Sequence, residues 1–588
     1  MSYEAPVDDI MLALKTAGNL GELSEKGIYP GLDEDTIRSV IEEAGKFGAE
    51  VLAPLNTIGD KEACTLSNGV VTMPHGFKDA YKQFADAGWS ALPCPEAYGG
   101  QGLPEIMSVV AAEIWNAANL SFGLCPLLTQ GAIHAIEAGG SETIKATYLP
   151  KMISGAWTGT MNLTEPHAGS DLSVINTKAV RNGGGTYLIT GTKIFITFGE
   201  HDMAENIIHL VLARLTDAPA GTRGISLFVV PKFLLNTDGS PGVRNDVICA
   251  GIEHKLGINA SPTCVMKYGE NGGAIGYLVG EENRGLATMF VMMNAARLAV
   301  GMQGVAVAER ATQRAIAFAK GRTQGHAAGS ASAGLSAIIE HPNVRRKLMT
   351  MKAMTQAARH ICIATASSLD ISHRASDAGE KAAAANRAAL LTPVAKAFAT
   401  DMGVEVASLG IQVHGGMGFV EETGAAQYYR DARILPIYEG TNGIQAIDLV
   451  TRKLPLQGGA TIKSFLAELD AISESVRGAN RGDLGASAVR LASGLAALKE
   501  ATHWIAGVSQ TDQNSALASA SPYLRLFGLA AGGAFLAKAA LTTQTGSAQA
   551  AVARYYAENY LTGAEGLAQT VMTGSDAVVR ADRQDVFA

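Results

Sequence analysis

One carboxylate, Glu439, has surroundings that could support chemistry. It lies in I-L-P-I-Y-E-G-T-N-G-I-Q, residues 434–445, between an aromatic residue and a glycine. The proline and the G-T-N-G cluster predict a loop, and the apolar spacing from Ile444 predicts a helix that ends near Arg452 and Lys453. Apolar neighbours desolvate a carboxylate, raise its pKa and suit it to act as a general base. The alternative is a solvated glutamate on a surface loop, which is the commoner role of this residue type.

A second stretch, L-T-E-P-H-A-G-S-D at residues 163–171, could bind a flat ligand. Its small residues, hydroxyls and proline turn would let the backbone approach such a ligand closely, although the same composition also makes an ordinary turn. The chain has no strand followed by G-x-G-x-x-G, and its nearest glycine cluster, His414–Phe419, follows a helical pattern. A Rossmann site is therefore disfavoured, and no Walker lysine motif is present.

Length and composition limit the classes of protein to consider. A chain of 588 residues is too long for one core, which predicts three or four domains. With 47% hydrophobic and 17% charged residues the chain is globular, and its net charge of -8 argues against nucleic acid as the main partner. The six cysteines form no C-x-x-C pair, which predicts no metal site, reduced thiols and a cytoplasmic location.

Neither a targeting segment nor a membrane span is expected. Residues 1–11 contain acidic side chains and lack a basic region followed by an apolar one. The most apolar long stretch, residues 524–541, is interrupted by Arg525, Lys538 and several glycines. It predicts a buried helix of a protein that does not enter a membrane.

The elements that must position Glu439 change character along the chain. Helical spacing dominates residues 1–157, short strand patterns such as 187–190 and 193–197 dominate residues 158–284, and long helical patterns return in residues 285–455. The long helices are predicted at 286–320, 342–369 and 382–409. Residues 456–588 predict an appended helical domain for packing or association. The fold class is therefore multidomain α+β, with a barrel or sandwich between two helical domains.

Six motifs together resemble the acyl-CoA dehydrogenase family. They are L-T-E-P-H-A-G-S-D at 163–171, K-I-F-I-T at 193–197, G-R-T-Q-G at 321–325, Q-V-H-G-G-M-G-F at 412–419, R-D-A-R-I at 430–434 and I-Y-E-G-T at 437–441. They occur in the family's order and cover most of residues 35–455. The long tail, together with M-M-N-A-A-R-L-A-V-G at 292–301 and H-P-N-V-R-R at 341–346, is similar to the family's large bacterial branch.

The resemblance implies a helical N-terminal domain, a middle β-barrel, a C-terminal helical bundle and an FAD held between the last two. The positions that would contact FAD are Leu163, Thr164, Ser170, Phe195, Thr197, Arg322, Gln324, Gln412, Gly416 and Thr441. Those expected to contact the acyl-CoA substrate are Ser170, Arg297, Tyr438 and Gly440. Because the neighbouring subunit holds part of the FAD in this family, a homo-oligomer is expected, and the tail favours a dimer. Gly325 stands where the family usually has phenylalanine, so an aromatic contact to the adenine is not implied there.

The resemblance also implies the reaction. Glu439 would remove the α proton of an acyl-CoA thioester while the β hydrogen leaves as hydride to flavin N5, giving a trans-2-enoyl-CoA. The Glu439 N–H and a ribityl hydroxyl would stabilise the enolate-like transition state. A minority of the family carries the base near residues 295–297, but here these are Ala295, Ala296 and Arg297, which favours Glu439. Arg297 itself either contacts substrate or pairs with a buried carboxylate.

Three alternatives stay open. The acyl group could be branched or longer, because the sequence does not show pocket size. The enzyme could be an oxidase that passes electrons to oxygen rather than to electron-transfer flavoprotein, the expected acceptor. A nucleic-acid-associated relative of the alkylation-response type would need a basic stripe in the tail, but the tail's basic residues are dispersed among acidic ones.

Overall fold

The chain forms two compact units in a computed structural model that describes residues 3–329, 334–581 and 586. One unit comprises residues 44–296, and the other comprises residues 3–43 and 297–588. The unit boundaries fall within the helices Glu34–Phe47 and Gly285–Gly321. The domain boundaries expected from the sequence, at 157/158, 284/285 and 455/456, stay a prediction, and the predicted ends at 1–2, 582–585 and 587–588 lie outside the described residues.

The 44–296 unit combines helices with a mixed sheet. Its helices are Ala53–Glu62, Phe77–Asp86, Glu105–Ala118, Leu120–Gly139 and Glu142–Ile153. An eight-stranded sheet runs in the order Val247–Ile252, Thr263–Tyr268, Thr186–Thr197, Ala274–Val279, Ile225–Pro231, Asn206–Leu215 and Trp157–Asn162, with Lys178–Arg181 beside Thr186–Thr197 and Asn206–Leu215. Two small hairpins pair Thr65–Ser67 with Val70–Thr72 and Phe233–Leu235 with Pro241–Arg244. The helical and strand-rich segments predicted for this part of the chain are confirmed.

Strand Thr186–Thr197 differs from the prediction in one respect. The sequence predicted two strands, 187–190 and 193–197, because Gly191 interrupts the β-branched run. The structure forms one strand of 12 residues, in which Gly191 pairs with Tyr268 and Thr192 pairs with Lys267. Pairing with the strand Thr263–Tyr268 therefore overrides the weak strand propensity of glycine.

Most of the second unit is helical. Its helices are Val7–Thr16, Leu20–Glu25, Pro342–Arg374, Ala378–His414, Ala425–Ala432, Asn442–Asp448, Ala460–Ala479, Ser487–Thr511, Gln513–Ala518, Ala520–Leu541, Ala548–Asn559, Ala564–Thr573 and Ser575–Val579. A π-helical segment, Leu449–Lys453, continues Asn442–Asp448. The three long helices that were predicted form as Gly285–Gly321, Pro342–Arg374 and Ala378–His414. The fold class is confirmed, including the appended helical segment.

The apolar helix Ala520–Leu541 is a core element of this unit. It packs against Pro342–Arg374, Ala378–His414 and Asn442–Asp448. At Gly528 the contact is so close that a Cβ atom would lie 2.3 Å from the ring of Phe398. Among the described residues, Gly285–Gly321 and Ala520–Leu541 are long and apolar enough to cross a membrane, and 83% of the most apolar window of the latter is buried.

Candidate active site

Glu439, the predicted base, lies in residues 433–441, here called the base loop, which connect the helices Ala425–Ala432 and Asn442–Asp448. Its backbone has φ of +56° and that of Gly440 has φ of +84°. A non-glycine residue in the left-handed region costs about 1–3 kcal/mol and persists only where its surroundings hold it. Backbone hydrogen bonds hold this loop at both ends, since the N–H of Leu435 donates to Ala432 O at 3.1 Å and the N–H of Asn442 donates to Pro436 O at 3.0 Å. The left-handed conformation therefore belongs to a loop that is firmly attached at both ends.

The helix after the base loop fixes the loop's carbonyl groups. Thr441 caps this helix, because its Oγ1 accepts a hydrogen bond from Ile444 N at 3.3 Å. The buried Gln445 donates from Nε2 to Gly440 O at 3.2 Å and to Glu439 O at 3.5 Å. A Cβ atom on Gly440 would lie 2.7 Å from that nitrogen, so only glycine fits there without displacement.

The Glu439 carboxyl is half-buried, and its environment makes it a weaker acid than usual. Burial raises the pKa of Glu439 to about 6, although Lys396 and Arg297 oppose this rise by favouring the charged form. A pKa just below neutral leaves the group mostly ionised at pH 7 while it stays a stronger base than a solvated glutamate. The raised pKa expected from the apolar neighbours is confirmed.

Arg297 pairs with a buried carboxylate. Its Nη1 lies 3.3 Å from Asp448 Oδ2, and both side chains are buried. Asp448 also accepts a hydrogen bond from Arg452 Nε at 2.5 Å. Burial lowers the pKa of Arg297, an effect that Asp448 opposes. Of the two roles considered for Arg297 the structure shows this pairing, and its contact with substrate stays a prediction.

Tyr438 is attached to the helix Gly285–Gly321. Its hydroxyl donates to Oε1 of Gln303, which is fully buried. Burial raises the pKa of Tyr438, so the hydroxyl stays protonated and acts as a donor. The hydrogen bond orients the residue that precedes Glu439. A wall position in the substrate pocket stays a prediction for Tyr438.

Lys396 is a buried cation that the sequence reasoning missed. It lies within Ala378–His414 with no exposed surface, and its Nζ donates to Asn442 Oδ1 at 2.8 Å. Burial lowers the pKa of Lys396 to about 7, while Glu439 and Asp401 oppose that effect. The sequence contained a signal for Lys396, because a single lysine in the apolar run V-A-K-A-F-A is as unusual as Arg297 in its apolar helix.

In the other unit the structure brings four predicted flavin contacts together. The N–H of Ile194 donates to Thr164 O at 2.9 Å, which ties the 163–171 turn to the strand Thr186–Thr197. Further along this strand Phe195 is 58% exposed with φ of +59°, two residues before Thr197. The stretch Leu163–Thr164 therefore lies beside the strand that carries Phe195 and Thr197.

A buried ion pair fixes the 163–171 turn. Lys193 Nζ donates to Leu163 O at 3.0 Å and to Glu165 Oε1 at 2.8 Å. Glu165 also accepts hydrogen bonds from the N–H groups of Asn176 and Thr177. Burial opposes its ionisation, but Lys193 and these donors hold the pKa of Glu165 below its usual value. Sequence reasoning quoted Lys193 and Glu165 inside motifs without recognising that they pair.

The remaining predicted contacts lie at exposed positions. Arg322 Nη2 lies 3.4 Å from Gln324 Oε1, so the structure brings these two side chains together. Gln412 and Gly416 are exposed where the helix Ala378–His414 ends, and a Cβ atom on Gly416 would meet no heavy atom within 4 Å. Ser170 is exposed in its turn. Within the described part of the chain, no group of three or more His, Cys, Asp or Glu side chains could hold a metal ion.

Comparison with known domain families covers nearly the whole chain. Residues 34–156 match the acyl-CoA dehydrogenase N-terminal domain, residues 160–269 the middle domain and residues 283–454 the C-terminal domain. Residues 460–582 match the family described as acetyl-CoA dehydrogenase C-terminal like.

Individual proteins give the same result. The chain is 50% identical over 552 residues to the 3-methylmercaptopropionyl-CoA dehydrogenase of Ruegeria pomeroyi, covering 92% of each chain. It is 36% identical to a butyryl-CoA dehydrogenase of Syntrophomonas wolfei, covering 80% of this chain and 78% of the relative. Among solved structures, Caenorhabditis elegans ACDH-11 in complex with C11-CoA has a TM-score of 0.79 at 20% identity, covering 95% of this chain and 92% of that one. At this identity the likeness shows the fold alone.

Proposed function

Since the chain belongs to the acyl-CoA dehydrogenase family, we propose that it converts 3-(methylthio)propanoyl-CoA to its 2-enoyl-CoA with FAD as cofactor and Glu439 as base. The substrate is supported by the 50% identity, over 92% of both chains, to the Ruegeria pomeroyi enzyme whose name carries this acyl group. The tail and the motifs at 292–301 and 341–346 also favour this branch of the family. Such a reaction would belong to the demethylation pathway of dimethylsulfoniopropionate.

The observation that carries the proposal is the state of Glu439. A hydrogen α to a thioester is weakly acidic, so its removal needs a base that is ionised near neutral pH yet stronger than a solvated carboxylate. Burial raises the pKa of Glu439 to about 6, which meets both requirements. Its N–H group belongs to a loop held at both ends, and we propose that this group donates to the thioester oxygen as negative charge develops there.

The residues of the 44–296 unit fit a flavin. Phe195 is an aromatic residue that is 58% exposed, and Thr197 follows it two positions later on the same strand. Exposed aromatic surface is unfavourable in water and would be covered by a flat ring. We propose that Phe195, Thr197, Leu163 and Thr164 hold the isoalloxazine and that Ser170 contacts the flavin or the pantetheine arm. When bound, FAD would accept the hydride that leaves the β carbon of the acyl group.

The exposed polar groups of the other unit fit the remainder of FAD. Arg322 carries the charge and the donors that suit a diphosphate, and Gln324 lies beside it. The open surface at Gly416 leaves space for close approach of a ligand, and Gln412 lies one turn before it. We propose that these four residues, with Thr441, complete an FAD site shared across a homodimer.

The test of the main proposal is anaerobic bleaching of the flavin absorbance by a panel of acyl-CoAs. We expect 3-(methylthio)propanoyl-CoA and its near-isostere pentanoyl-CoA to bleach the wild type, and Glu439→Gln to retain FAD without bleaching. Bleaching only by longer or branched acyl-CoAs would move the proposal to another substrate. Absence of bleaching by every acyl-CoA, in protein that retains FAD, would refute the dehydrogenase mechanism.

The acceptor, the assembly and the location form a separate proposal. We propose that the reduced enzyme passes electrons to electron-transfer flavoprotein in the cytoplasm. Turnover that requires electron-transfer flavoprotein and consumes no oxygen would support a dehydrogenase, whereas oxygen consumption at the rate of turnover would identify an oxidase. Light scattering of the FAD-loaded protein measures whether it is a dimer.

A further inference from the structure

A buried ammonium group, Lys396, lies close to the base loop. Its side chain has no exposed surface, and its Nζ donates to Asn442 Oδ1 at 2.8 Å. Asn442 is the first residue of the helix that follows the base loop, three residues after Glu439. Burying a charge is costly unless an opposite charge or several hydrogen bonds compensate it. The position of Lys396 therefore calls for a negative partner.

Asn442 is oriented by contacts on the opposite side of its amide. Its Nδ2 donates to Asp401 Oδ1 at 2.7 Å, and Thr400 Oγ1 and Ala397 O lie 3.0 and 3.2 Å from the same nitrogen. All three acceptors belong to Ala378–His414, the helix that also carries Lys396. With Nδ2 committed to these groups, Oδ1 has to face the ammonium. The start of the helix after the base loop is thus tied to Lys396.

Three charged groups face Lys396, and Glu439 is the one available to compensate its charge. The three are Glu439 from the base loop, Asp401 from the helix of Lys396 and Arg297 from Gly285–Gly321. Asp401 is in turn faced by Arg525 and Glu405. Arg297 is already compensated by Asp448 at 3.3 Å. Among residues 3–329 and 334–581 Lys396 forms no direct ion pair, and Glu439 is the first of the two carboxylates that oppose the lowering of its pKa by burial.

We propose that Lys396 is a positioning residue whose ammonium, braced by Asn442, keeps the Glu439 carboxyl ionised and ready to accept a proton. The catalytic part of this inference rests on the proposed function. The ammonium acts on the Glu439 carboxyl through its charge rather than through a direct hydrogen bond. Its influence ends where it loses its own proton, because burial lowers the pKa of Lys396 to about 7.

Three variants separate charge from hydrogen bonding. Lys396→Gln keeps an N–H donor for Asn442 and removes the charge, Lys396→Met removes both, and Lys396→Arg keeps the charge. Lys538→Met is a matched control, because Lys538 is partly buried and likewise donates to an asparagine, Asn19 Oδ1, at 2.7 Å. The charged groups that face Lys538 are Glu468, Arg387 and Glu22.

The measurement is a pH titration of the Glu439 carboxyl by infrared difference spectroscopy on FAD-loaded protein without substrate. Loss of the carboxyl band in Glu439→Gln assigns it. Removal of an opposite charge at close range raises a carboxyl pKa by about one pH unit or more. We expect this rise in Lys396→Gln and Lys396→Met, and wild-type titration in Lys396→Arg and Lys538→Met.

Unchanged titration in Lys396→Gln, in folded protein that retains FAD, would overturn the proposal even if Lys396→Met does not fold. If the pKa of the Glu439 carboxyl rises as much in Lys396→Arg as in Lys396→Gln, the proposal is also overturned, because the charge of residue 396 would then not set that pKa. The acidic limb of kcat/KM should move with the titration. If the carboxyl titrates as expected and no acyl-CoA is turned over by the wild type, the role of Lys396 stands and the proposed function fails.

Discussion

Replacing Gly440 by alanine would test whether the backbone of the base loop has to be held in its observed conformation. Gly440 has φ of +84°, and an added Cβ would lie 2.7 Å from Gln445 Nε2. A left-handed alanine costs about 1–2 kcal/mol relative to glycine. Displacing Gln445 weakens its hydrogen bonds to Gly440 O and Glu439 O, each worth about 1 kcal/mol. The local cost is therefore about 2–4 kcal/mol.

This cost should appear mainly in activity. The loop can relax by moving the residue next to the substitution, Glu439, and a displacement of about 1 Å can lower a rate by about 100-fold. We expect Gly440→Ala to slow anaerobic flavin bleaching by about 10- to 100-fold while FAD content stays at the wild-type level. Rapid-mixing absorbance measures the bleaching, and a denaturant titration measures the loss of unfolding free energy.

Gly443→Ala is the matched control for this change. An added Cβ at Gly443 would meet only Thr441 Oγ1, at an ordinary contact distance of 3.8 Å. Alanine also has a higher helix propensity than glycine by about 1 kcal/mol. We expect this control to bleach at the wild-type rate with equal or higher stability. Wild-type bleaching in Gly440→Ala would refute the reasoning, because the loop would then tolerate the displacement.

Three further predictions concern the base, its buried neighbours and the appended helix. Glu439→Gln should lower the bleaching rate by about 100- to 10,000-fold, and it should also stabilise the protein above pH 6. Burial raises the pKa of Glu439 from 4.5 to about 6, so the native state loses stability as pH rises through that window, by up to about 2 kcal/mol. Thermal unfolding should thus show a higher Tm for the variant at pH 7.5 and equal Tm values at pH 4; equal values at both would contradict the desolvation of Glu439. Asp448→Asn leaves the buried charge of Arg297 without its partner and should cost about 3–5 kcal/mol in denaturant unfolding; a loss below about 1 kcal/mol would mean that the pair is solvated. Gly528→Ala places a Cβ 2.3 Å from the Phe398 ring and should lower the free energy of unfolding by about 1–3 kcal/mol. In the double variant with Phe398→Ala, part of this loss should be recovered, because the ring is then absent. Full additivity of the two substitutions would contradict a contact between residues 528 and 398.

Local rules determined a large part of this fold from the sequence. Apolar residues three and four apart predicted the three long helices, and they form as Gly285–Gly321, Pro342–Arg374 and Ala378–His414. The apolar stretch at residues 524–541, interrupted by Arg525, Lys538 and several glycines, predicted a buried helix, which forms as Ala520–Leu541. Such patterns succeed because a helix repeats within a few residues. The prediction failed at Gly191, where a partner strand far away in sequence decided the outcome.

The sequence by itself also identified Glu439 as the candidate base. Glu439 stands among apolar residues in a loop, and burial raises its pKa as that setting predicts. The left-handed backbone of Glu439 could not be predicted, because residues other than glycine and asparagine rarely adopt this conformation. It depends on the turn and helix that hold the loop.

Only the tertiary structure decided the electrostatic surroundings of Glu439. Arg297 meets Asp448 across 151 residues of sequence, and Lys396 meets Asn442 across 46. The sequence showed that Arg297 is a cation in an apolar helix and left open whether it would meet substrate or a carboxylate. Periodicity reports which face of a helix is buried, whereas the partner of a buried charge is set by how separate helices pack. The energy of such a charge depends on that partner, so its role becomes visible only in the folded chain.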